Sequence, residues 1–264
     1  MVIVADILQI VESFAPPYMQ EHWDNVGLLL GDPSRQVHKI LVALDPFEHV
    51  CQEAAEWGAE LLLTHHPLLF QPAKSITTDT AIGRSILLLA SHGISAVNTH
   101  TNLDMAPGGV NDVLAQTLGL ENISVIDPTG KNDAGQPYGL LRAGTVAPQS
   151  LEDFLAWVKR SLHCPGLRYV NSNDTVCNVA VGGGACAGEL CRAAAAGCDT
   201  FVTADVKYNQ FWEARELGIN LIDAGHFYTE NPICQALAAK IRAAFPEITV
   251  KISEKHADCM NFFL

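Results

Sequence analysis

The segment Asp32–Thr64, DPSRQVHKILVALDPFEHVCQEAAEWGAELLLT, decides the predicted fold because its pattern returns 139 positions later, without a gap, as Asn171–Thr203, NSNDTVCNVAVGGGACAGELCRAAAAGCDTFVT. Each copy reads as a turn, a strand, a helix that ends near a glycine (Gly58 or Gly197) and a second strand that ends in Thr. Helices rich in Ala and strands rich in Val and Ile resemble one another by composition alone. A gap-free match of this length nevertheless favours a duplication.

The match continues further along the chain with one inserted residue. The segment GISAVNTHTNLD, from Gly93, corresponds to GINLIDAGHFYTE, from Gly218. Strands and helices therefore alternate in both halves, which predicts an α/β fold made of two duplicated α/β lobes with parallel strand pairing. We expect a first lobe over 1–126, with the His-His-Pro and NTHTNLD motifs, and a second over 127–264, with TADVKY and DAGHFYTE. The turn-rich stretch Asp127–Pro137 would join them.

The composition and the apolar pattern disfavour several classes of protein. The formal net charge of −13 works against sequence-independent binding of nucleic acid. The N-terminal MVIVADILQIVESF carries two acidic residues among apolar ones, so it predicts an amphipathic helix instead of a signal peptide. Since no apolar run approaches the ~20 residues that span a bilayer, we expect a cytoplasmic protein with no membrane association. The eight cysteines form no C-x-x-C pair and are expected to be reduced and mostly buried.

Histidines follow several predicted strands at their carboxyl ends, where open α/β sheets bind ligands. His65 and His66 come after LLLT, His100 after SAVN and His226 after LID. Adjacent side chains of a regular strand point to opposite faces, so His65 and His66 reach one site only if the strand has already ended. Pro67 favours such an end because it lacks a backbone donor.

A carboxylate lies four positions after two of these histidines: Asp104 follows His100, and Glu230 follows His226. Imidazole nitrogen suits Zn, Fe, Co and Ni, and carboxylate oxygen also suits Mn. Because one ion needs only three or four protein ligands, this surplus favours two divalent ions per chain, ~3.5–4 Å apart. Taken singly, adjacent histidines are more often solvent-exposed or hydrogen-bonded to the backbone than bound to a metal ion, and the H-x-x-x-[DE] pattern often occurs by chance. Their shared position at strand ends is what indicates a metal site.

Three further expectations concern the second half. Thr229 is a plausible N-cap with Pro232 in the first helical turn, which would place Glu230 at a helix N-terminus, where the helix dipole favours a carboxylate. The glycines of VGGGACAG, Val181–Gly188, loosely fit a nucleotide-binding loop. Asp205 and Lys207, in TADVKYN, either face the metal cleft or only pair with each other at the surface.

The chain resembles the Nif-three-like family, whose members often carry the name GTP cyclohydrolase I type 2 homologue. The resemblance rests on five segments in the same order: WDNVGLLLGDP (Trp23–Pro33), THHPLLF (Thr64–Phe70), NTHTNLD (Asn98–Asp104), TADVKYN (Thr203–Asn209) and DAGHFYTE (Asp223–Glu230). It extends over essentially the whole chain. Longer members have an additional domain between the halves, which the short connection here cannot contain.

The resemblance implies a Nif-three-like fold, a dinuclear metal centre between the lobes, and a toroidal homohexamer. The ligands that it implies are His65, His66, Asp104, His226 and Glu230, with His100 close by. Two readings of function follow. One is a metal-dependent hydrolase of a small, nucleotide-like substrate, in which His100 is the catalytic proton carrier or supports a ligand. The alternative is a metal-binding protein without turnover, such as a metallochaperone or a metal-responsive regulator.

Overall fold

The computed structural model describes residues 1–263, which form an α/β protein. Its α-helices are, in chain order, α1 (Val4–Phe14), α2 (Glu48–Trp57), α3 (Ala81–Ser91), α4 (Thr101–Met105), α5 (Val110–Thr117), α6 (Leu151–Ser161), α7 (Leu190–Ala195), α8 (Tyr208–Leu217), α9 (His226–Glu230) and α10 (Pro232–Ala244). Its strands are β1 (Gly27–Leu30), β2 (Lys39–Ala43), β3 (Leu61–Thr64), β4 (Ser95–Asn98), β5 (Glu121–Ile126), β6 (Gly130–Lys131), β7 (Pro137–Tyr138), β8 (Leu141–Ser150), β9 (Arg168–Val170), β10 (Thr175–Val181), β11 (Thr200–Thr203), β12 (Asn220–Asp223) and β13 (Thr249–Ile252).

Two compact units divide the described chain. The first unit is Met1–Leu103 with Ile233–Ala257, and the second is Asp104–Pro232 with the described residues after Ala257. The predicted lobes, 1–126 and 127–264, rest on the sequence repeat and stay a prediction about duplication. The two sheets agree with the compact units and not with the predicted lobe boundary at residue 126. Strand β5, before that boundary, lies in the sheet of the second unit, and β13, after it, lies in the sheet of the first.

The first unit has a five-stranded sheet in the order β1-β4-β3-β2-β13. Strands β4, β3, β2 and β13 pair in parallel, and β1 joins the edge antiparallel to β4. Every residue of β3 and β4 is buried, as expected for the central strands of a parallel sheet covered by helices. Helix α1 buries Val4, Ile7 and Val11, the spacing of one helical face, which confirms the predicted amphipathic helix.

The second unit has a six-stranded sheet in the order β5-β8-β10-β11-β12-β9. Its central strands β10, β11 and β12 are parallel, and the remaining pairings are antiparallel. Both units therefore contain the strand-helix-strand pattern that the matched segments predict. Gly58 and Gly197 have φ values of +72° and +79°, the left-handed conformation in which glycine commonly terminates a helix. The turn-rich stretch near residue 130 forms the small hairpin of β6 and β7.

Among the described residues, no helix combines the length and apolar character needed to cross a membrane.

Candidate metal centre

Three imidazoles meet at the carboxyl ends of β3 and β4 in the first unit. His65 and His66 come immediately after Thr64, the last residue of β3, so the predicted strand end is confirmed. His100 comes two residues after β4 and directly before α4. One potential ligand nitrogen from each ring lies within 4.8 Å of those from the other two. His65 is fully buried, whereas the other two rings are partly exposed.

In each of the three rings, Nδ1 lies within hydrogen-bond distance of an oxygen atom. Nδ1 of His65 lies 2.8 Å from the carbonyl oxygen of Thr99, which can only accept, so this nitrogen carries the proton. Nδ1 of His66 lies 2.6 Å from Oδ1 of Asp45, and Nδ1 of His100 lies 2.8 Å from Oδ1 of Asp24. Donation from Nδ1 leaves the lone pair of a neutral imidazole on Nε2, and such a partner is a recurrent accompaniment of a metal-binding histidine.

Asp24 supports His100 with a fully buried side chain. Burial raises the pKa of this carboxyl, but hydrogen bonds from His100, Thr101 and the backbone N–H of Asn25 outweigh burial and lower the pKa to about 2. Thr101 donates both its backbone N–H and its hydroxyl to Oδ2 of Asp24. The carboxylate is therefore ionised at neutral pH and orients the ring of His100.

The second unit contains two buried carboxylates, Asp104 and Glu230, and one imidazole, that of His226. Asp104 lies in α4 and Glu230 ends α9; their side chains are almost fully buried, and an oxygen of each lies within 4.8 Å of the other. Nε2 of His226, which begins α9, lies 3.0 Å from Oε2 of Glu230. Nδ1 of His226 lies 2.8 Å from Oδ2 of Asp205, so this imidazole is also held through Nδ1. Asp205 adopts a left-handed φ of +53°, which Asp tolerates better than most residues.

The expected helix start at Thr229 is wrong. His226–Glu230 forms the separate short helix α9, and α10 begins at Pro232. The hydroxyl of Thr229 lies 2.9 Å from the carbonyl oxygen of His226 and 3.1 Å from that of Gly225, so it bonds backward into its own turn and does not cap the next helix. Glu230 therefore lies at the end of one short helix, immediately before another.

The glycines after β10 make room for Glu230, which gives them a role other than the nucleotide-binding loop considered from the sequence. Gly184 has a φ of +60°, and a Cβ atom there would overlap Oε1 of Glu230 and lie 3.1 Å from Nε2 of His226. The backbone N–H of Gly184 donates to the hydroxyl of Thr229 at 3.0 Å. The glycine loop therefore packs directly against Glu230 and His226, two of the predicted ligands.

Asn111 joins the same glycine loop to the segment that carries Asp104. Its Oδ1 accepts from the backbone N–H of Gly183 at 2.7 Å, and its Nδ2 donates to the backbone carbonyl of Asp104 at 3.1 Å. The side chain of Asn111 is fully buried. Both hydrogen bonds are therefore protected from water, and they fix the backbone on either side of the carboxylate group.

Arg142 is also buried and supports the chain just after Asp104. Its guanidinium donates to the carbonyl oxygens of Met105 and Ala106 and forms a two-pronged pair with Asp112 at 2.9 and 3.0 Å. A buried guanidinium is tolerated only when its charge and its donors are satisfied, as they are here. The end of α4 is consequently tied to β8, the strand to which Arg142 belongs.

Cys186, just after the glycine loop, is buried in an environment that disfavours its thiolate. Burial raises the pKa of its thiol well above the ordinary range, and the negative charges of Asp104 and Glu230 raise it further. Because only the thiolate is a good nucleophile or metal ligand, the candidate metal-binding groups of this region are its imidazole and its carboxylates.

Each unit thus brings three of the predicted site residues together: His65, His66 and His100 in the first, and Asp104, His226 and Glu230 in the second. Sequence reasoning missed Asp24, Asp45 and Asn111 as supporting residues. Asp45 had a usable signal, because it is a carboxylate just past the end of the apolar strand β2. Asp205 supports His226, whereas Lys207 is exposed and precedes α8. The donor atoms, neutral imidazole nitrogen and buried carboxylate oxygen, fit borderline divalent ions.

Comparison with known proteins gives a consistent assignment. The family model described as Duf34/NIF3 (NGG1p interacting factor 3) matches residues 2–258. A Clostridium perfringens protein named "GTP cyclohydrolase 1 type 2 homolog" is 36% identical over 260 residues, covering 97% of this chain and 98% of that protein.

Two solved structures are similar over nearly their whole length. A Bacillus cereus protein described as related to NIF3 has a TM-score of 0.94 at 26% identity, with 100% of this chain and 99% of that chain covered. The Staphylococcus aureus protein SA1388 has a TM-score of 0.92 at 31% identity, with 99% of each chain covered. The family match spans both units and every predicted ligand, and we conclude that the chain belongs to the Duf34/NIF3 family.

Proposed function

We propose that the protein is a metal-dependent hydrolase with two divalent ions per chain, drawn from Zn, Fe, Mn, Co and Ni. The proposed ligands are His65, His66, Asp104, His226 and Glu230. One observation carries the proposal: in each of the four site histidines Nδ1 lies within hydrogen-bond distance of a carbonyl or carboxylate oxygen, so Nε2 is the nitrogen through which a neutral ring would bind a metal ion. The two buried carboxylates, Asp104 and Glu230, supply the negative charge that the ions require.

When bound, the ions would supply Lewis acidity and activate a water molecule for attack on carbon or phosphorus.

Within the proposed reaction, His100 carries the proton. Ionised Asp24 holds Nδ1, so Nε2 of His100 can accept a proton from the attacking water and later return it to the leaving group. Thr99 and Asp45 hold His65 and His66 in fixed orientations, so the two rings would not need to reorient to bind a metal ion. Substrate positioning would then depend on the surfaces around these rings.

A small, nucleotide-like molecule is the proposed substrate class. Its support is the name GTP cyclohydrolase 1 type 2 homolog, which belongs to the Clostridium perfringens relative. The net charge of −13 disfavours a nucleic-acid polymer, whereas a small substrate can reach the ions through local contacts.

The decisive experiment measures metal content and turnover together. Protein purified without chelators is expected to contain about two ions per chain, and Asp104→Ala and Glu230→Ala should each reduce that content. Anomalous scattering at metal absorption edges would identify the ions and their ligands. Metal-loaded protein should hydrolyse at least one member of a panel of nucleotides, phosphoesters and cyclic amides, and His100→Ala should lower kcat while keeping the ions.

Two outcomes would contradict parts of this proposal. Full metal loading without turnover on the whole panel would favour the metallochaperone or regulator. Well under one ion per chain would reject the metal centre itself. The proposed homohexamer is tested separately, by a light-scattering mass close to that of six 28.5-kDa chains.

A further inference from the structure

A cavity of about 260 Å³ opens beside His66 in the first unit. Its lining includes His66 and also Asp45, whose carboxylate lies 2.6 Å from Nδ1 of His66. Small-molecule sites are typically concave and occupy roughly 300–1,000 Å³. This cavity lies just below that range, so it suits one ring or one short end of a larger molecule.

The walls of this cavity are mostly apolar. Pro46 and Phe47 come from the loop before α2, Pro67 from the loop after β3, and Ile82 from the first turn of α3. Phe47 is 56% exposed and Ile82 is 42% exposed, so both side chains offer apolar surface to an incoming molecule. A flat or compact apolar group would remove that surface from water.

The charges around the cavity disfavour an anionic occupant. None of the described residues that line it is Lys or Arg. Glu48, another lining residue, is paired with Arg84, whose Nη2 lies 2.9 Å from Oε2 of Glu48. Asp45 adds a further carboxylate, which accepts from His66. A phosphate or carboxylate group inside the cavity would face acidic groups without a cation devoted to it.

We propose that this cavity, the Phe47 pocket, binds the uncharged ring or apolar end of the substrate, whose polar end lies at the ion held by His66. The inference rests on the proposed metal centre and adds a substrate class to it: molecules that have an uncharged ring close to the hydrolysed group. Phe47 and Ile82 would then determine specificity through apolar contact, without taking part in the chemistry.

Two hydroxamates separate the pocket from the metal centre. Acetohydroxamate and benzohydroxamate bind divalent ions through the same two oxygens, but only benzohydroxamate carries a phenyl ring. We expect metal-loaded, full-length protein to bind benzohydroxamate at least about tenfold more tightly than acetohydroxamate in calorimetric titration, because the ring leaves water.

Variants of the pocket should remove that preference. Ile82→Asn and Phe47→Ser are each expected to bring the ratio of the two dissociation constants close to one while leaving acetohydroxamate binding unchanged. Leu87→Asn is the matched control, since Leu87 is on the same helix as Ile82 and is 40% exposed, but is not part of the lining. The control should keep the wild-type ratio.

The results distinguish two kinds of failure. Binding of both hydroxamates with equal affinity by the wild type, or an unchanged ratio in both pocket variants, would overturn the pocket and leave the metal centre standing. If neither hydroxamate binds, the metal centre and the pocket are both overturned. Because Phe47 and Ile82 are both exposed, we expect both variants to fold like the wild type. Thermal unfolding of each variant checks this expectation.

Discussion

Gly184 lies so close to Glu230 that a Cβ atom on the glycine would overlap Oε1 of the carboxylate. Gly184→Ala is therefore expected to displace Glu230 and to weaken metal binding at least about tenfold. The left-handed φ of +60° at this position adds backbone strain to the steric conflict. Competition titration with a chromogenic chelator measures the affinity.

Gly188→Ala is the matched control for this substitution. An added Cβ at Gly188 would contact no other atom within 4 Å, and the backbone there has no positive φ. Wild-type metal affinity in Gly184→Ala would show that the close approach to Glu230 has no bearing on metal binding.

Asn111 should be required for metal affinity beyond its effect on stability. In Asn111→Asp the donor to the carbonyl oxygen of Asp104 is lost, and a new negative charge enters a buried region that already contains two carboxylates. We expect about a tenfold loss of metal affinity together with about 1–3 kcal/mol of destabilisation. Urea unfolding and chelator competition measure the two quantities separately.

Asn220→Asp provides the comparison. Asn220 is also a fully buried asparagine of the second unit; it accepts from the backbone of Ser172 and Asn173 and donates to Thr200. Its variant should lose stability without a loss of metal affinity. An equal loss of affinity in both variants would mean that Asn111 acts only through global stability.

Asp45→Asn should impair His66 through its tautomer. An amide can donate to Nδ1 of His66, which would move the ring proton to Nε2 and remove the lone pair proposed for the ligand. The expected loss of metal affinity is about 10–100-fold, with the fold intact. Nuclear magnetic resonance of labelled histidines would report the tautomer directly.

Asp32→Asn serves as a control for the amide substitution in the same unit. Asp32 is exposed, and its carboxylate accepts from the backbone N–H and the hydroxyl of the nearby Ser34. Its variant should bind metal like the wild type. If His66 keeps its proton on Nδ1 in Asp45→Asn, the tautomer explanation is wrong.

Glu53 should make the free energy of unfolding decrease as the pH falls into the acidic range. Its nearly buried carboxylate accepts from Ser253, Glu254 and Lys255 and pairs with Lys251, thereby attaching the segment after β13 to α2. Burial raises the pKa of Glu53, but these hydrogen bonds outweigh burial and lower it below the ordinary value. The stabilisation is therefore fully present above the unfolded pKa of about 4.3 and is lost as the pH falls through the lower, folded pKa.

Glu53→Gln is expected to lower the free energy of unfolding by about 2 kcal/mol at pH 7, and the difference from wild type should shrink below about pH 4. Urea unfolding of both proteins between pH 7 and pH 3 measures this difference. Glu60→Gln removes another carboxylate that accepts two backbone N–H groups, but from a more exposed position, so its effect should be smaller. A difference for Glu53→Gln that stays constant with pH would contradict the role of the charge.

Much of the fold was predictable from local pattern. The ends of β3, β4 and β12 fall just before His65, His100 and His226, as the apolar runs and the following polar residues indicated. The error at Thr229 has a local cause: a hydroxyl that can cap the next helix can equally bond back to its own turn, and the residue types alone do not decide between these bonds.

The supporting residues were harder to find because each lies far along the chain from its partner. Asp24 is 76 positions from His100, and Asn111 is 72 positions from Gly183. No periodicity or short motif relates residues at such separations. Asp45 and Asp205 came closest to being predictable, since each follows a strand that neighbours one carrying a site histidine.

The sequence by itself determined the kinds of elements, the positions at which strands end, and the imidazole and carboxylate donors placed there, because these depend on residue type and on periods of a few residues. Only the tertiary structure decided which oxygen holds each Nδ1, that Gly184 must lack a side chain beside Glu230, and that an apolar cavity opens at His66. Those features depend on distances of about 3 Å between remote segments, and packing of the folded chain is what sets such distances.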